Sequence, residues 1–276
     1  MPDFDDVGSY REVVKTIPIE DIGLVVLDCQ QITITEGLLE ALLENNCAVV
    51  TCDKSHLPVG LLLPLYGNKV QTERYREQID ASVPLKKQIW QQTVQCKIRN
   101  QAAVLKYVTG EDARNMLIWA DAVKSGDADN LEGRAAAFYW KSVFVDNPKF
   151  TRSDDDIVNA MLNYGYAIVR AIVARALVGA GLIPTLGVHH HNRYDAYCLA
   201  DDIMEPYRPY VDRLVIDIVN AGVPEVLDVN VKRALLELPV KEVIIDGIRR
   251  PLMLAVSQTV NSLQKCFSGS SRKVIY

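Results

Sequence analysis

The spacing of apolar and polar positions divides the chain into a β-rich first quarter and a helical remainder. Positions 22–27 form a short apolar run with β-branched residues, and Ile32-Thr-Ile-Thr35 has strong strand-forming composition. Positions 36–45 change period. Leu38, Leu39, Leu42 and Leu43 share one helical face, and Asn45-Asn46 is a stop. Buried strands are expected again at 47–52 and at 60–65, separated by a turn holding His56 and Pro58. The expectation is a small sheet with one helix packed on it.

From Ser82 the period is helical. Pro84 suits the first turn of a helix running to about Tyr107. The Thr109-Gly-Glu-Asp112 stretch resembles a capping box for the next helix, and Asn130 is placed to cap a helix containing Glu132. Ser153 and the acids at 154–156 mark the start of a long apolar helix that stops near Gly179 and Gly181. Near the end, 240–245 reads as a strand turning at Asp246-Gly247 into a last helix over 251–267, with a loose tail beyond. The fold class is therefore α+β: a β-rich N-terminal domain over 1–68, a linker over 69–83, and a mainly α-helical catalytic domain over 84–276.

Composition changes this picture little: 49% hydrophobic and 24% charged residues suit a chain with a real core. The six cysteines lack C-x-x-C spacing and no signal peptide opens the sequence, so reduced thiols and a cytoplasmic location are expected. The most apolar run, 167–188, carries Arg170 and Arg175, which argues against a membrane span. Charge matters more. The chain nets −5, yet between Gly67 and Tyr107 eight basic residues (Lys69, Arg74, Arg76, Lys86, Lys87, Lys97, Arg99, Lys106) stand against three acids, giving +5. Such a stripe either tracks a phosphate backbone or is a solvated face paired with its own glutamates.

Candidate chemistry concentrates between His189 and Asp212. Three of the four histidines lie at 189–191, and Asp201, Asp202 and Glu205 follow at helical spacing. Carboxylates this close repel unless a cation, or Arg193 or Arg208, relieves them. Carboxylate oxygens with an imidazole suit Mg²⁺ or Mn²⁺. Zinc would normally take more His or Cys, and no cysteine stands at a plausible spacing. Taken singly, each feature has a plain structural explanation: a polar loop histidine, a solvated Asp-Asp, an i,i+3 pair of Glu205 with Arg208, a first-turn Glu132 at a helix dipole.

The chain resembles the CRISPR-associated adaptation integrase family, Cas-one, and its type II branch in particular. The resemblance runs from about Ile17 to Phe267. It is carried in order by PIEDIG at 18–23, TITEGLLEALLENNCAVVTCD at 33–53, GLLLPLYGN at 60–68, LEGRAAAFYW at 131–140, LGVHH at 186–190 and LADDIMEPYRPYVD at 199–212. It implies three metal ligands, which fall here on Glu132, His190 and Glu205, with Asp202 as a supporting acid and Arg193 and Arg208 as candidates for neutralising phosphate or bracing carboxylates. It implies that the 3′-hydroxyl of a short duplex attacks a phosphodiester at the edge of a CRISPR repeat, with Mg²⁺ or Mn²⁺ assisting. The same site also fits a metal-dependent nuclease that only hydrolyses, and a non-catalytic DNA-binding scaffold is a third reading. The resemblance further implies an asymmetric homodimer, a heterohexamer with the small companion Cas-two, double-stranded DNA as substrate, and an accompanying type II effector nuclease. Family members usually carry about two further strands ahead of the Ile17 region. By that pattern the present chain enters late and leaves an unpaired sheet edge.

Overall fold

A computed structural model describes residues 16–144, 150–152 and 156–276. Strand β1 (Leu24–Leu27) crosses through helix α1 (Glu36–Glu44) to β2 (Ala48–Cys52), which pairs with it in parallel; β3 (Pro58–Leu62) pairs antiparallel to β2. Among the described residues β1 pairs on one side only. Leu42, Cys47 and Val49 form a small core between α1 and the sheet, while Leu24 and Leu61 pack with the main core on the other face.

Two strand expectations change. Ile32–Thr35 joins no strand among the described residues; Thr35, in extended backbone, caps α1 instead, its hydroxyl accepting from the Leu38 amide at 3.3 Å. The third strand begins two residues earlier than its apolar run and ends at Leu62. The stretch expected as a linker holds helix α2 (Gln71–Ile79), whose buried Gln78 ties it to the body.

The helical body is built on α3 (Val83–Thr109), 27 residues capped by the Ser82 hydroxyl and closed by Gly110 in the left-handed region. Around it pack α4 (Arg114–Ala122), α5 (Leu131–Val143), α6 (Ile157–Gly179), α7 (Cys198–Met204), α8 (Arg208–Ala221), α9 (Val229–Leu235) and α10 (Leu252–Phe267). The expected capping box at 109–112 does not form. Thr109 bonds back to the Leu105 carbonyl inside α3, and α4 starts at Arg114 without a side-chain cap. Ser153 and the acids at 154 and 155 lie outside the described residues; Asp156 caps α6 by accepting from the Asn159 amide at 2.7 Å.

Helix α6 is long and apolar enough to cross a bilayer, but 67% of its most apolar window is buried inside the protein. Its arginines have partners here: Arg170 pairs with Asp201, and Arg175 donates to the Asn46 carbonyl. Strands β4 (Glu242–Ile245) and β5 (Ile248–Pro251) form the expected hairpin, turning at Asp246 and Gly247 with φ of 49° and 75°, and lead into α10. The tail is not loose. Val274 donates to Gln92, Ile275 to Ser262, and the buried Tyr276 hydroxyl lies 2.6 Å from Thr93 Oγ1 on α3. All six cysteines are free, and only Cys29 is exposed.

Candidate metal-assisted active site

Glu132 stands in the first turn of α5. Asn130, held in the left-handed region (φ 49°), caps that turn by accepting from the Gly133 amide, and Asp127 accepts from the amides of Leu131 and Glu132. The first turn is thereby fixed, and the Glu132 side chain reaches toward α3. There Lys97 Nζ lies 2.6 Å from Glu132 Oε1 and 2.5 Å from Glu205 Oε2.

Glu205 sits where α7 tightens into a single 3-10 turn at Glu205–Tyr207 before Pro209 starts α8 properly. Asn100 on α3 donates to the Pro206 carbonyl at 2.7 Å and fixes this turn. Arg208 Nε bonds Glu205 Oε1 at 2.7 Å, and the Arg208 guanidinium lies over the Tyr166 ring. Burial is the largest influence on Glu205 and pushes its pKa up. Arg208 and Lys97 together overcome it and hold the carboxyl at about 2. Burial likewise opposes the charge of Lys97, and Glu205 and Glu132 outweigh it, so Lys97 stays an ammonium.

His190 comes from the loop between α6 and α7. Asp202, fully buried on α7, organises that loop. Its Oδ2 accepts from the amides of Val188 (2.7 Å) and His189 (2.9 Å), and its Oδ1 lies 2.6 Å from His190 Nδ1. The approach requires Gly187: a Cβ there would meet the His190 carbonyl at 2.3 Å and Asp202 Oδ2 at 2.9 Å. Gln78 holds the start of the loop through Ile183 and Leu186. The bond with Asp202 raises the pKa of His190 against the effect of burial, and Glu205 and Glu132 add to it through space. With Nδ1 taken, Nε2 is the ring nitrogen left for a ligand. His189 is stacked flat on Trp90, ring centroids 4.1 Å apart, and burial lowers its pKa.

The structure thus brings Glu132, His190, Glu205, Asp202 and Arg208 to one place and leaves two candidates elsewhere. Arg193 is exposed, stacked over Tyr194, and among the described residues pairs with no carboxylate. Asp201 faces away and makes a two-point pair with Arg170 at 2.6 and 2.9 Å, which relieves the Asp201–Asp202 repulsion without a metal. The basic stretch divides as well. Arg74, Arg99 and Lys106 form ion pairs with Glu77, Asp121 and Asp112. Lys86 and Lys87 line a depression of about 290 Å³ with His189 and His191, and Lys86 also lines one of about 440 Å³ with His190, Asn192 and Arg193.

Sequence reasoning missed Lys97, counting it only as one charge of the stripe. Its signal was present: Lys97 falls in the register of Trp90, Thr93, Val94 and Gln101, all buried on one face of α3. It also missed Asp212, fully buried between the hydroxyls of Tyr139 and Tyr166 with its pKa pushed by burial up to about 6.

Among the described residues no three His, Cys, Asp or Glu side chains stand together as a ready-made metal cluster, because the Lys97 ammonium fills the space between Glu132 and Glu205. The donor set still fits a hard divalent ion. Two carboxylates flank Lys97, the His190 ring is near enough to feel both charges, and Glu205 Oε2 is buried with the Lys97 charge beside it but no directed hydrogen bond.

The architecture, a small sheet on a helical body, is that of a Cas1 protein from Thermotoga maritima, which superposes with a TM-score of 0.71 at 19% identity, covering 92% of this chain and 89% of that one. A casposase bound to its integration product gives 0.76 at 21% identity over 92% and 80% of the two chains. A chain of a Cas6-RT-Cas1–Cas2 complex gives 0.70 at 21% identity over 91% and 31%. The profile of the family described as CRISPR associated protein Cas1 matches residues 7–236, and the CRISPR-associated endonuclease Cas1 of Neisseria meningitidis serogroup C is 38% identical over 261 residues, 94% of this chain and 85% of that protein. The chain belongs to the Cas1 family of CRISPR-associated endonucleases.

Proposed function

We propose that this Cas1 protein joins the 3′-hydroxyl ends of a short duplex to repeat DNA, with Mg²⁺ or Mn²⁺ held by Glu132, Glu205 and Nε2 of His190. The observation that carries the reading is the meeting of two carboxylates, from α5 and the α7–α8 turn, beside a loop imidazole whose other nitrogen is fixed by Asp202. A bound divalent ion would supply Lewis acidity toward the phosphoryl group. The protein groups have separate tasks. Asp202 sets the tautomer and orientation of His190. Arg208 holds Glu205 ionised and fixed. Lys86, Lys87 and Arg193 line the two depressions beside His190, a basic rim suited to a phosphate backbone read without sequence.

Partners follow from the relatives. The casposase in its integration product supports a DNA substrate, and the complex containing Cas1 and Cas2 supports a small companion; a heterohexamer built from homodimers is the assembly proposed with it. The free cysteines suit a reducing cytoplasm.

The test is joining of a labelled duplex to a plasmid carrying the repeat array, with the small companion and Mg²⁺ or Mn²⁺ present. Glu132→Ala and His190→Ala are each expected to lower joining at least about a hundredfold while duplex binding stays within about threefold. Undiminished joining by either variant contradicts the ligand assignment, and cleavage without joining by the wild type contradicts integration.

A further inference from the structure

Lys97 rises from the middle of α3 into the space between the two carboxylates, and its side chain is only 12% exposed. Its Nζ is 2.6 Å from Glu132 Oε1 and 2.5 Å from Glu205 Oε2, so one ammonium bridges acids from two different elements. The local charges balance without any metal: Lys97 and Arg208 offset Glu132 and Glu205, and Arg208 is engaged with the other oxygen of Glu205. A Mg²⁺ or Mn²⁺ ion bound by Glu132 and Glu205 needs oxygens at about 2.1 Å. The point between those oxygens is where Nζ stands. Two cations cannot occupy that one point between Glu132 and Glu205, so ammonium and metal exclude each other there.

We propose that Lys97 is the resident counter-cation of this site: its ammonium holds Glu132 and Glu205 together in the metal-free protein and is displaced when a divalent ion binds. The inference rests on the reading of the site as a metal site. Three properties follow. The carboxylates are assembled before metal arrives, because their mutual repulsion is already neutralised. Metal affinity is lower than the same donors would give alone, because each binding event must break two short ion pairs. Monovalent ions, which bring no more charge than the ammonium they would replace, are kept out.

The direct test is calorimetric titration of Mn²⁺ into the full chain, wild type against Lys97→Met, which keeps the aliphatic stem, and Lys97→Arg, which keeps the charge. Lys97→Met is expected to bind Mn²⁺ about tenfold tighter or more, and Lys97→Arg no tighter than wild type. Equal or weaker binding by Lys97→Met overturns the proposal and leaves the metal-site reading standing. Absence of Mn²⁺ binding by both wild type and Lys97→Met overturns the metal-site reading and this inference with it. A second measurement needs no variant to fold. Acylation of Lys97 in the wild-type protein, followed by peptide mass spectrometry, is expected to speed up several-fold when Mn²⁺ is added, since the ammonium leaves its carboxylates. An unchanged rate under saturating Mn²⁺ overturns the proposal.

Discussion

At the scale of single residues, His190 and Asp202 set a pH dependence whose sign is fixed by their hydrogen bond. The folded-state pKa of His190 is raised above 6.5 by Asp202. The stability this contributes is full below the unfolded value near 6.5 and is lost as pH rises through the raised one. A metal ligand must be neutral, so metal affinity runs the other way, weak near pH 6.5 and growing as pH rises through the raised pKa. Mn²⁺ affinity is expected to climb by up to about tenfold per pH unit across that window, and Asp202→Asn should move the climb to lower pH. An affinity flat from roughly pH 6 to 8 contradicts the assignment. The candidate acids and histidine stand out in the sequence because the D-x-x-E-P spacing and the Gly-x-His-His run are compact and distinctive. Lys97 was hidden by its own charge: in a count of basic residues it looks like its neighbours, and only the buried register of Trp90, Thr93 and Gln101 separates it from them.

At the scale of elements, the helices were readable where a cap or a stop and an apolar stripe agreed, as in α1, α3 and α5. They were misread where local chemistry offered a second use for the same side chain, as when Thr109 turned back onto α3 instead of capping α4. The Thr35 segment failed as a strand for the same reason: a β-branched run can serve equally as the extended approach to an N-cap. The α5 cap carries a prediction. Asn130→Ala removes the acceptor for the Gly133 amide and puts a Cβ residue without a polar side chain at φ 49°. It is expected to destabilise the protein by about 1–2 kcal/mol and to weaken Mn²⁺ binding, because Glu132 stands two residues on. Thermal unfolding together with Mn²⁺ titration checks this, and a loss of stability with metal affinity untouched would show that the cap does not position Glu132.

At the scale of the whole molecule, the sheet and the helical body are fastened by a small number of charged contacts that no sequence period announces. Asp28, at the end of β1, lies 2.6 Å from Lys232 Nζ on α9 and 2.9 Å from His56, and Lys232 is buried. Lys232→Met is expected to cost about 1–3 kcal/mol and to raise amide exchange in β1 and β2 ahead of α3, while unchanged exchange in the sheet would mean the contact is incidental. The division into sheet and helical body was legible because the hydrophobic period itself changes from strand to helix; the fastening was not, since it joins residues 204 positions apart. Helix α3 then sets how the molecule can move. It has no Gly or Pro beyond its first turn and is about 40 Å long. Along that length it touches His189 through Trp90, the C-terminal tail through Thr93, the paired acids through Lys97 and the Pro206 turn through Asn100. A beam with no hinge transmits load without absorbing it, so a push on its Lys86 end is felt at the acids as translation rather than bending. Any give needed to admit a substrate then lies outside α3, and the span from Pro184 to Tyr197, which holds neither helix nor strand, borders both depressions.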